Sequence, residues 1–418
     1  MATGRIVAGL DIGTTKITTI IAEVDQGGGV DVIGVGQSPS QGIERGMVMN
    51  LEETVQSIMR SVSEAQHMAD VKIDSVYTGI AGDHISGINN RAAVTVGRAN
   101  NEITQEDVAR VVAHAKNVDI PPDLQVIHVI PQEFSVDSQK HVREPIGLAG
   151  SRLEGEVHIV TGSTTAVQNI RRAVERAGLN VAEIVLQPLA SSYAVLMPDE
   201  QDHGVVMLDV GGGTTDIAIF YRRCIRHTAV IGLGGTNVTN DISIGLKTPL
   251  SEAENLKMQY GCALRDLLPQ DREIHPAIGL GGEPAESVSQ HHLADVVESR
   301  MEEIYEYAWR EVGRTEWADM LNSGVVLTGG GSMIKGAVEL ARRVFGVSVK
   351  LGLPTGVGGL VEKVSTPMHA TGVGLVLYGA QQGTASPEVI QSYSESESSD
   401  STDRLGGVYR WLREFFTG

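Results

Sequence analysis

The sequence has few cysteines, few positive charges and no long apolar runs. Cys224 and Cys262 are the only cysteines among 418 residues, which excludes a disulfide framework or a cysteine-rich zinc site and predicts a reducing cytosol. The net charge of −19 predicts no general nucleic-acid binding, because a phosphate backbone would be repelled. No apolar run is long enough to span a membrane, and the first residues lack a signal-peptide core. We therefore expect a soluble body.

The chain contains enough hydrophobic residues to form packed α/β cores. Hydrophobic residues make up 41% of it, and its length predicts two or more domains. β-rich runs alternate with segments of helical period, and a further turn-rich strand pair is expected after LDVGGGTTDIAIF. From about Asp83 to about Thr161, short alternating strands surround one helical segment. This block predicts a small α+β subdomain inserted into a larger fold.

Two stretches about half a chain apart share one plan. GLDIGTTKITTIIAEV and LDVGGGTTDIAIFYRR each read strand, Asp, glycine turn, paired threonines, strand, so Asp11 corresponds to Asp209. One glycine hairpin is ordinary turn material, but two predict related domains facing each other across a cleft. Glycines let N–H groups approach an anion, and an Asp at each strand end can hold Mg²⁺ through waters. The pair predicts a site for a nucleotide's phosphates and metal.

A third motif, VVLTGGGSMIKG, runs from a strand through three glycines towards a helix. On its own it is a simple strand–helix connection. The glycines also leave a flat backbone surface beside a helix N-terminus. Following two phosphate hairpins, the motif predicts the adenosine side of the site.

The order of these motifs resembles the actin/Hsp70/sugar-kinase ATPase superfamily. The matching segments are LDIGTTK, LQPLASSYAVL, LDVGGGTTD, LTGGGSMIKG and ATGVGLVLYG. Within the superfamily, essentially the whole chain is similar to the FtsA family of bacterial cell-division actin homologues, notably in HVIPQEFSVD, PIGLAG, VERAGL and LASSYAVL. The resemblance implies an α/β, actin-like two-domain ATPase fold with an inserted α+β subdomain (1C) and a C-terminal amphipathic helix.

The resemblance also implies a division of the chain. The two linking segments LASSYA and GVGLVLYG would cross at the base of the cleft and form its hinge. The predicted units are domain 1A (1–82, 162–197 and 360–383), subdomain 1C (83–161), domain 2A (198–241 and 306–359), subdomain 2B (242–305), a disordered linker (384–402) and the amphipathic helix (403–418).

ATP and Mg²⁺ are the cofactors that the resemblance implies. Asp11 would order Mg²⁺ through water, and Asp209 would lie near both the metal and the attacking water. Gln187 would either orient that water or simply make hydrogen bonds at a strand–helix junction. Asp216 would cap its turn. The implied nucleotide contacts are Gly13, Thr14, Thr15, Lys16, Gly211, Gly212, Gly213, Thr214, Gly234, Gly235, Asn237, Glu254, Lys257, Gly329, Gly330, Ser332 and Met333.

The predicted contacts of Lys16, Glu254 and Lys257 have alternatives. Lys16 would neutralise phosphate charge or be an exposed strand lysine. Glu254 and Lys257, one helical turn apart, would contact ribose and adenine or form a surface ion pair. The histidines show no metal spacing; a solvated helix start is expected at His291 and His292 and structural roles at His84, His128 and His158.

The last residues, RLGGVYRWLREFFTG, combine a helical apolar face with a locally basic one. Core docking is the usual role of such a stripe, but this one follows a serine-rich acidic linker and is rich in Trp and Phe. We therefore expect it to bind a membrane surface, as in the FtsA family. The apolar face comprises Leu405, Val408, Trp411, Leu412, Phe415 and Phe416.

The segment LADVVESRMEEI is similar to the FtsA helix that receives the C-terminal tail of FtsZ. Arg300 is the residue predicted to contact that acidic peptide. Val296 and Val297 lie one helical turn before it, so no acid at that place can neutralise its charge. A surface pair with Glu303 is the alternative.

Together these features predict an ATP-binding, weakly hydrolysing, actin-like cell-division protein. It would polymerise on the cytoplasmic face of the inner membrane at the septum, tether FtsZ filaments and recruit later divisome membrane proteins. A pilus-assembly-type actin homologue and a sugar kinase of the same fold are the alternatives. An Hsp70-like chaperone would need a peptide-binding domain where this chain has a linker and a helix.

Overall fold

The computed structural model describes residues 4–97, 101–276, 278–279 and 287–382. The predicted linker at 384–402 and amphipathic helix at 403–418 lie outside the described residues.

The first domain begins with the predicted hairpin and its third strand. The Asn50 side chain accepts hydrogen bonds from the N–H groups of Glu52 and Glu53, at 3.1 and 3.3 Å, and so caps the helix that follows it. The elements are β1 (Arg5–Ile12), β2 (Lys16–Val24), β3 (Val30–Pro39), β4 (Ile43–Glu44), β5 (Met47–Val48), α1 (Leu51–Ala69) and β6 (Ser75–Ile80).

The inserted block is a four-stranded antiparallel sheet with one helix against it. Its elements are β7 (Ser86–Thr95), α2 (Gln105–Lys116), β8 (Leu124–Val136), β9 (Gln139–Val142) and β10 (Arg152–Ser163), in the sheet order β7-β10-β8-β9. Val108, Val111 and Phe134 are buried between helix and sheet, because alternate strand residues and one helical stripe are apolar. This confirms the predicted α+β insertion.

The remaining elements complete the first domain and build the second. They are α3 (Thr164–Arg176), β11 (Asn180–Leu186), α4 (Gln187–Val195), α5 (Pro198–His203), β12 (Val205–Val210), β13 (Thr215–Tyr221), β14 (Cys224–Ile231), α6 (Gly235–Gly245), α7 (Leu250–Tyr260), β15 (Glu273–Ile274), β16 (Val288–Ser289), α8 (Gln290–Gly313), β17 (Val325–Thr328), α9 (Ala337–Phe345), β18 (Val349–Leu351), β19 (Gly358–Gly359), α10 (Val361–Val364) and α11 (Ala370–Gln382).

The two main sheets share a five-stranded topology, to which the first adds β19 beside β3. The first is ordered β11-β6-β1-β2-β3-β19 and the second β14-β13-β12-β17-β18. In each, the hairpin strands pair antiparallel with each other and with a third strand, whereas two later strands add in parallel beside the first. The internal repeat seen in the sequence is therefore a duplicated fold. The actin-like two-domain fold class is confirmed.

Helices α4 and α11, which we call the linking helices, lie between the two sheets. They share a buried apolar cluster with strands of both domains, including Val7, Met207 and Val373. A Cβ atom added to Gly374 would lie 1.9 Å from the Ala190 carbonyl oxygen, so only glycine permits this approach. The predicted crossing of these two segments is thus made possible by a small residue at the contact.

One expectation about the second domain is wrong. The sequence predicted a strand pair after LDVGGGTTDIAIF, but a single strand, β14, is followed by helix α6. GTNVTNDISIG contains glycine, asparagine and β-branched residues, which disfavour a helix in isolation. Buried Val238 and Ile242 pack into the domain core, and this tertiary burial outweighs the local propensity.

Candidate functional site

The two glycine turns have the same backbone geometry and face each other. Gly13 N–H donates to the Lys16 carbonyl at 3.0 Å, and Gly211 N–H donates to the Thr214 carbonyl at 2.9 Å. A Cβ atom on Gly212 would lie 2.5 Å from Thr15 Cγ2. The turns predicted to hold phosphates thus meet across the cleft.

An aspartate stands at the end of the first strand of each hairpin, and both are 7% exposed. Asp11 Oδ1 accepts a hydrogen bond from Gln187 Nε2 at 3.4 Å. Asp209 Oδ2 accepts from Ser191 Oγ at 2.8 Å and from Thr371 Oγ1 at 3.3 Å. The site therefore joins both hairpins to both linking helices.

Acidic charge exceeds basic charge at this point. Burial and the neighbouring Asp209 raise the pKa of Asp11 to about 6, although Lys16 opposes the shift. Burial also raises the pKa of Asp209, and burial next to the other two acids raises that of Asp216 well above its usual value. Burial of three carboxyl groups close together therefore favours proton uptake by some of them, and only Lys16 offers a compensating positive charge here.

The structure decides the alternatives left open for Lys16 and Asp216. The Lys16 ammonium donates to the Met368 carbonyl, and burial lowers its pKa, so Lys16 is not an exposed strand lysine. Asp216 lies within β13 directly opposite Asp209 and is 3% exposed. It does not cap the turn, and its Oδ1 has no hydrogen-bond partner among the described residues.

The start of α6 closes one side of the second turn. Gly235 N–H donates to the Gly211 carbonyl at 2.9 Å, and a Cβ atom on Gly234 would lie 2.7 Å from that oxygen. Asn237 Oδ1 accepts from Gly234 N–H at 3.0 Å and so caps the helix. These three predicted residues lie together at the cleft.

Glu254 and Lys257 pair on α7, with Nζ and Oε2 2.6 Å apart. The ammonium of Lys257 also donates to the Gly235 carbonyl at 3.1 Å and to Thr239 Oγ1 at 2.9 Å. The ion pair is therefore real, but it is anchored to the segment that borders the turn rather than free on the surface.

The third glycine motif meets the same acid. Gly329 adopts φ = 82°, and a Cβ atom there would lie 2.3 Å from Asp209 Oδ1. Both the backbone conformation and the close approach of the acid therefore require glycine. Gly330 to Met333 form a 3₁₀ turn, which Ser332 closes by donating to the Gly329 carbonyl at 2.7 Å. The regular helix begins only at Ala337. Met333 is 45% exposed.

Sequence reasoning missed several hydroxyl groups. Ser191 and Thr371 were not expected to hold Asp209. Ser40 N–H donates to the Thr15 carbonyl at 3.1 Å, and Thr236 N–H donates to the Gly212 carbonyl at 2.8 Å. The hydroxyl oxygens of Ser40 and Thr236 are buried without a partner among the described residues. These orphaned donors, one beside each turn, together with the acids and Lys16, suit a nucleotide–Mg²⁺ complex.

No group of three or more His, Cys, Asp or Glu residues that could hold a metal occurs in the described ranges. A cation between Asp11 and Asp209 would therefore take most of its ligands from water and phosphate.

His128 Nε2 accepts from Leu186 N–H at 3.0 Å, and His158 contacts Asn89 and Thr228 at 2.6 and 2.9 Å. Burial lowers their pKa values to about 4 and about 3. Both make the structural contacts that were predicted.

Arg300 has an intramolecular partner that the sequence did not reveal. Its Nη2 donates to Asp241 Oδ1 at 3.0 Å, its Nε donates to the other carboxylate oxygen, and its Nη1 contacts Glu303. Asp241 lies 59 positions away on α6. The pair with Glu303 that was the alternative is present.

Comparisons with known proteins agree with this architecture. Three family models match parts of the chain: "Cell division protein FtsA" at residues 206–374, "SHS2 domain inserted in FTSA" at 82–161 and "Hsp70 protein" at 165–223. Among solved structures, a chain of the PilM-PilN type IV pilus biogenesis complex has a TM-score of 0.63 at 18% identity, covering 90% of this chain and 98% of that one. MreB5 of Spiroplasma citri bound to ADP has a TM-score of 0.55 at 13% identity, with coverages of 88% and 94%. These likenesses show the fold.

Within the ranges that the structure describes, no helix combines the length and apolarity needed to cross a bilayer.

The sequence relatives show more than the fold. Cell division protein FtsA of Pseudomonas aeruginosa is 43% identical over 419 residues, which cover 99% of this chain and 99% of that protein. This chain belongs to the FtsA family of cell division proteins.

Proposed function

We propose that this protein binds ATP with Mg²⁺ in the cleft, hydrolyses it weakly at most, and polymerises at the inner membrane at the septum. There it tethers FtsZ filaments and recruits later divisome membrane proteins. Family membership favours this function over a pilus-assembly actin homologue or a sugar kinase.

The opposed glycine turns carry the nucleotide part of the proposal. Each presents the same short backbone turn, an aspartate at its strand end and a neighbouring buried hydroxyl without a partner. Polyphosphate needs donors on both sides, and a divalent cation between Asp11 and Asp209 would offset the charge of these two acids. The implied roles are water-mediated Mg²⁺ binding at Asp11 and Asp209 and phosphate contacts from both turns. Bound Mg²⁺ would neutralise phosphate charge.

Calorimetric titration of the intact chain with ATP tests this part. We expect tight binding in Mg²⁺, weaker binding in EDTA, and a loss of at least tenfold in Mg²⁺ affinity for Asp209→Ala. Gly313→Ala is the matched control, because a Cβ atom there would meet nothing within 4 Å. Equal affinity and turnover for Asp209→Ala and the intact chain would remove that acid from the site.

The FtsZ part rests on the surface around Arg300. Ile244, one turn after Asp241 on α6, is 76% exposed, and a Cβ atom on Gly245 would lie 3.6 Å from Val296 on α8. An exposed apolar side chain thus lies one helical turn from Asp241, which pairs with Arg300, and both ion-pair partners of Arg300 are only partly buried. A peptide with both acidic and apolar residues fits such a surface.

Binding of an FtsZ C-terminal peptide, measured by fluorescence anisotropy, tests this surface. Arg300→Glu should abolish binding. Glu303→Ala should strengthen it, since Glu303 competes for the same guanidinium. Arg314→Glu is the control, because that arginine lies at the far end of α8. Equal binding by Arg300→Glu and the intact chain would refute the role of Arg300.

The membrane part concerns residues outside the described ranges. Co-sedimentation of the intact chain with anionic liposomes in the presence of ATP should be lost in Trp411→Glu and retained in Arg413→Lys. The first change puts a charge on the apolar face, whereas the second preserves the charge of the polar face. Equal sedimentation of Trp411→Glu and the intact chain would exclude the helix as the anchor.

A further inference from the structure

The two oxygens of the Asp209 carboxylate have different surroundings. Oδ2 faces hydroxyl groups of the linking helices, at 2.8 Å from Ser191 Oγ on α4 and 3.3 Å from Thr371 Oγ1 on α11. Oδ1 lies against Gly329 of the third glycine motif. One oxygen is thus held by the helices that connect the domains.

Burial gives these hydroxyls few other partners. Ser191 is 0% exposed and Thr371 is 7% exposed, so bulk water hardly competes for them. Buried hydroxyls take partners wherever these are within reach, and bonds to an ionised carboxylate are the stronger ones. The serine and threonine are therefore restrained by the acid, and the acid by them.

The hydroxyls also contact each other, with their oxygens 3.0 Å apart. Each hydroxyl has one proton, so Ser191, at the shorter distance, donates to Asp209. Thr371 then donates either to Asp209 or to Ser191 Oγ. In both arrangements the acid is tied to α4 and α11 together, at the place where Gly374 of α11 lies on the Ala190 carbonyl of α4.

We propose that Ser191 and Thr371 are positioning residues that hold the Asp209 carboxylate in the orientation needed for Mg²⁺-dependent nucleotide binding. The inference rests on the proposed function and extends it to side chains that touch neither nucleotide nor metal. Because the two residues belong to the two linking helices, a shift of one helix relative to the other would reorient the acid.

Ser192 provides a matched control. It follows Ser191 on the same helix and is 3% exposed, but its hydroxyl donates to the Leu189 carbonyl at 2.7 Å. Ser191→Ala and Ser192→Ala therefore remove the same atom from equally buried sites, and only the first removes a bond to Asp209. Thr371→Val keeps the side-chain shape, and Thr371→Ser keeps the hydroxyl. Ser191→Cys is a second variant if Ser191→Ala does not fold.

The experiment measures ATP dissociation constants of the intact chain and these variants by calorimetry, in Mg²⁺ and in EDTA. Losing a hydrogen bond to a charged group predicts an affinity in Mg²⁺ at least about tenfold weaker for Ser191→Ala. A smaller loss is expected for Thr371→Val, with rescue by Thr371→Ser. Affinity in EDTA should change by less than about twofold, and Ser192→Ala should match the intact chain.

A double-mutant cycle separates positioning from general packing. If Ser191 acts through the acid, adding Ser191→Ala to Asp209→Ala, which leaves no acceptor at that position, should weaken binding by less than about twofold further. Additive losses, or equal losses in Mg²⁺ and EDTA, would overturn the inference while leaving the proposed function intact. An intact chain that binds no ATP under either condition would refute the proposed function and the inference with it.

Discussion

The two phosphate hairpins share a backbone but differ in charge. In the first, Asp11 lies opposite Thr18 and Lys16 follows the turn; in the second, Asp209 lies opposite a second acid, Asp216. The first hairpin thus balances its acid with a nearby cation, whereas the second places two carboxyl groups side by side and holds one of them with hydroxyls. Duplication preserved the turn, and the side chains around it gave the two copies different electrostatics.

The largest effect we expect comes from the Asp11 carboxyl. Its pKa in the folded state, about 6, lies above the ordinary 3.8, so between these pH values the folded chain binds more protons than the unfolded one. Without nucleotide, this group lowers the free energy of unfolding by about 3 kcal/mol as pH rises from 4 to above 6.

Urea unfolding of the intact chain and of Asp11→Asn across this pH range measures that effect. His128 and His158 act in the opposite direction, because their lowered pKa values cost stability as pH falls below 6.5. The difference between the two chains therefore isolates Asp11. It should grow in favour of Asp11→Asn as pH rises from 4 to 6, and a constant difference would contradict the prediction.

The next largest effect concerns the contact between the turns. A Cβ atom in Gly213→Ala would lie 2.6 Å from Thr14 Oγ1, so the turns must move apart. We expect the ATP dissociation constant in Mg²⁺ to rise about a hundredfold, or about 2.7 kcal/mol. Calorimetry with Gly313→Ala as control measures it, and an unchanged constant would mean that this spacing is not critical.

Exchanging the cross-strand partners tests the electrostatic difference directly. Asp216→Thr gives the second hairpin the pattern of the first and removes a buried acid lacking one hydrogen-bond partner. The free energy of unfolding at neutral pH should rise by about 1–3 kcal/mol. The reverse change, Thr18→Asp, should destabilise the first hairpin by a similar amount. Denaturant titration checks both, and the same sign for the two would contradict this account.

The smallest effect is expected for Gln187→Ala. Its hydrogen bond to Asp11 is long, at 3.4 Å, so little binding energy depends on it. ATP affinity should change less than about threefold, while any hydrolysis should slow further if Gln187 orients water. A steady-state phosphate-release assay beside calorimetry separates the two effects, and a tenfold affinity loss would assign Gln187 to binding.

Much of the site could be predicted because its parts are local in sequence. A strand, an acid, glycines and hydroxyls follow one another within a dozen residues, and their repetition revealed the duplicated fold. Helix α6 was not predicted, because its residues disfavour a helix in isolation and are helical only through burial. The environment of Lys16 was not predicted either, because its acceptor, the Met368 carbonyl, lies 352 positions away.

The sequence by itself determined the two hairpins, the inserted α+β block and the glycines that permit close approach, because periodicity and backbone freedom are properties of short segments. The tertiary structure alone decided which side chains surround each acid. Ser191 and Thr371 reach Asp209 from 18 and 162 positions away, and Arg300 meets Asp241 across 59. Such partners depend on how helices and sheets pack, and no local pattern records that packing.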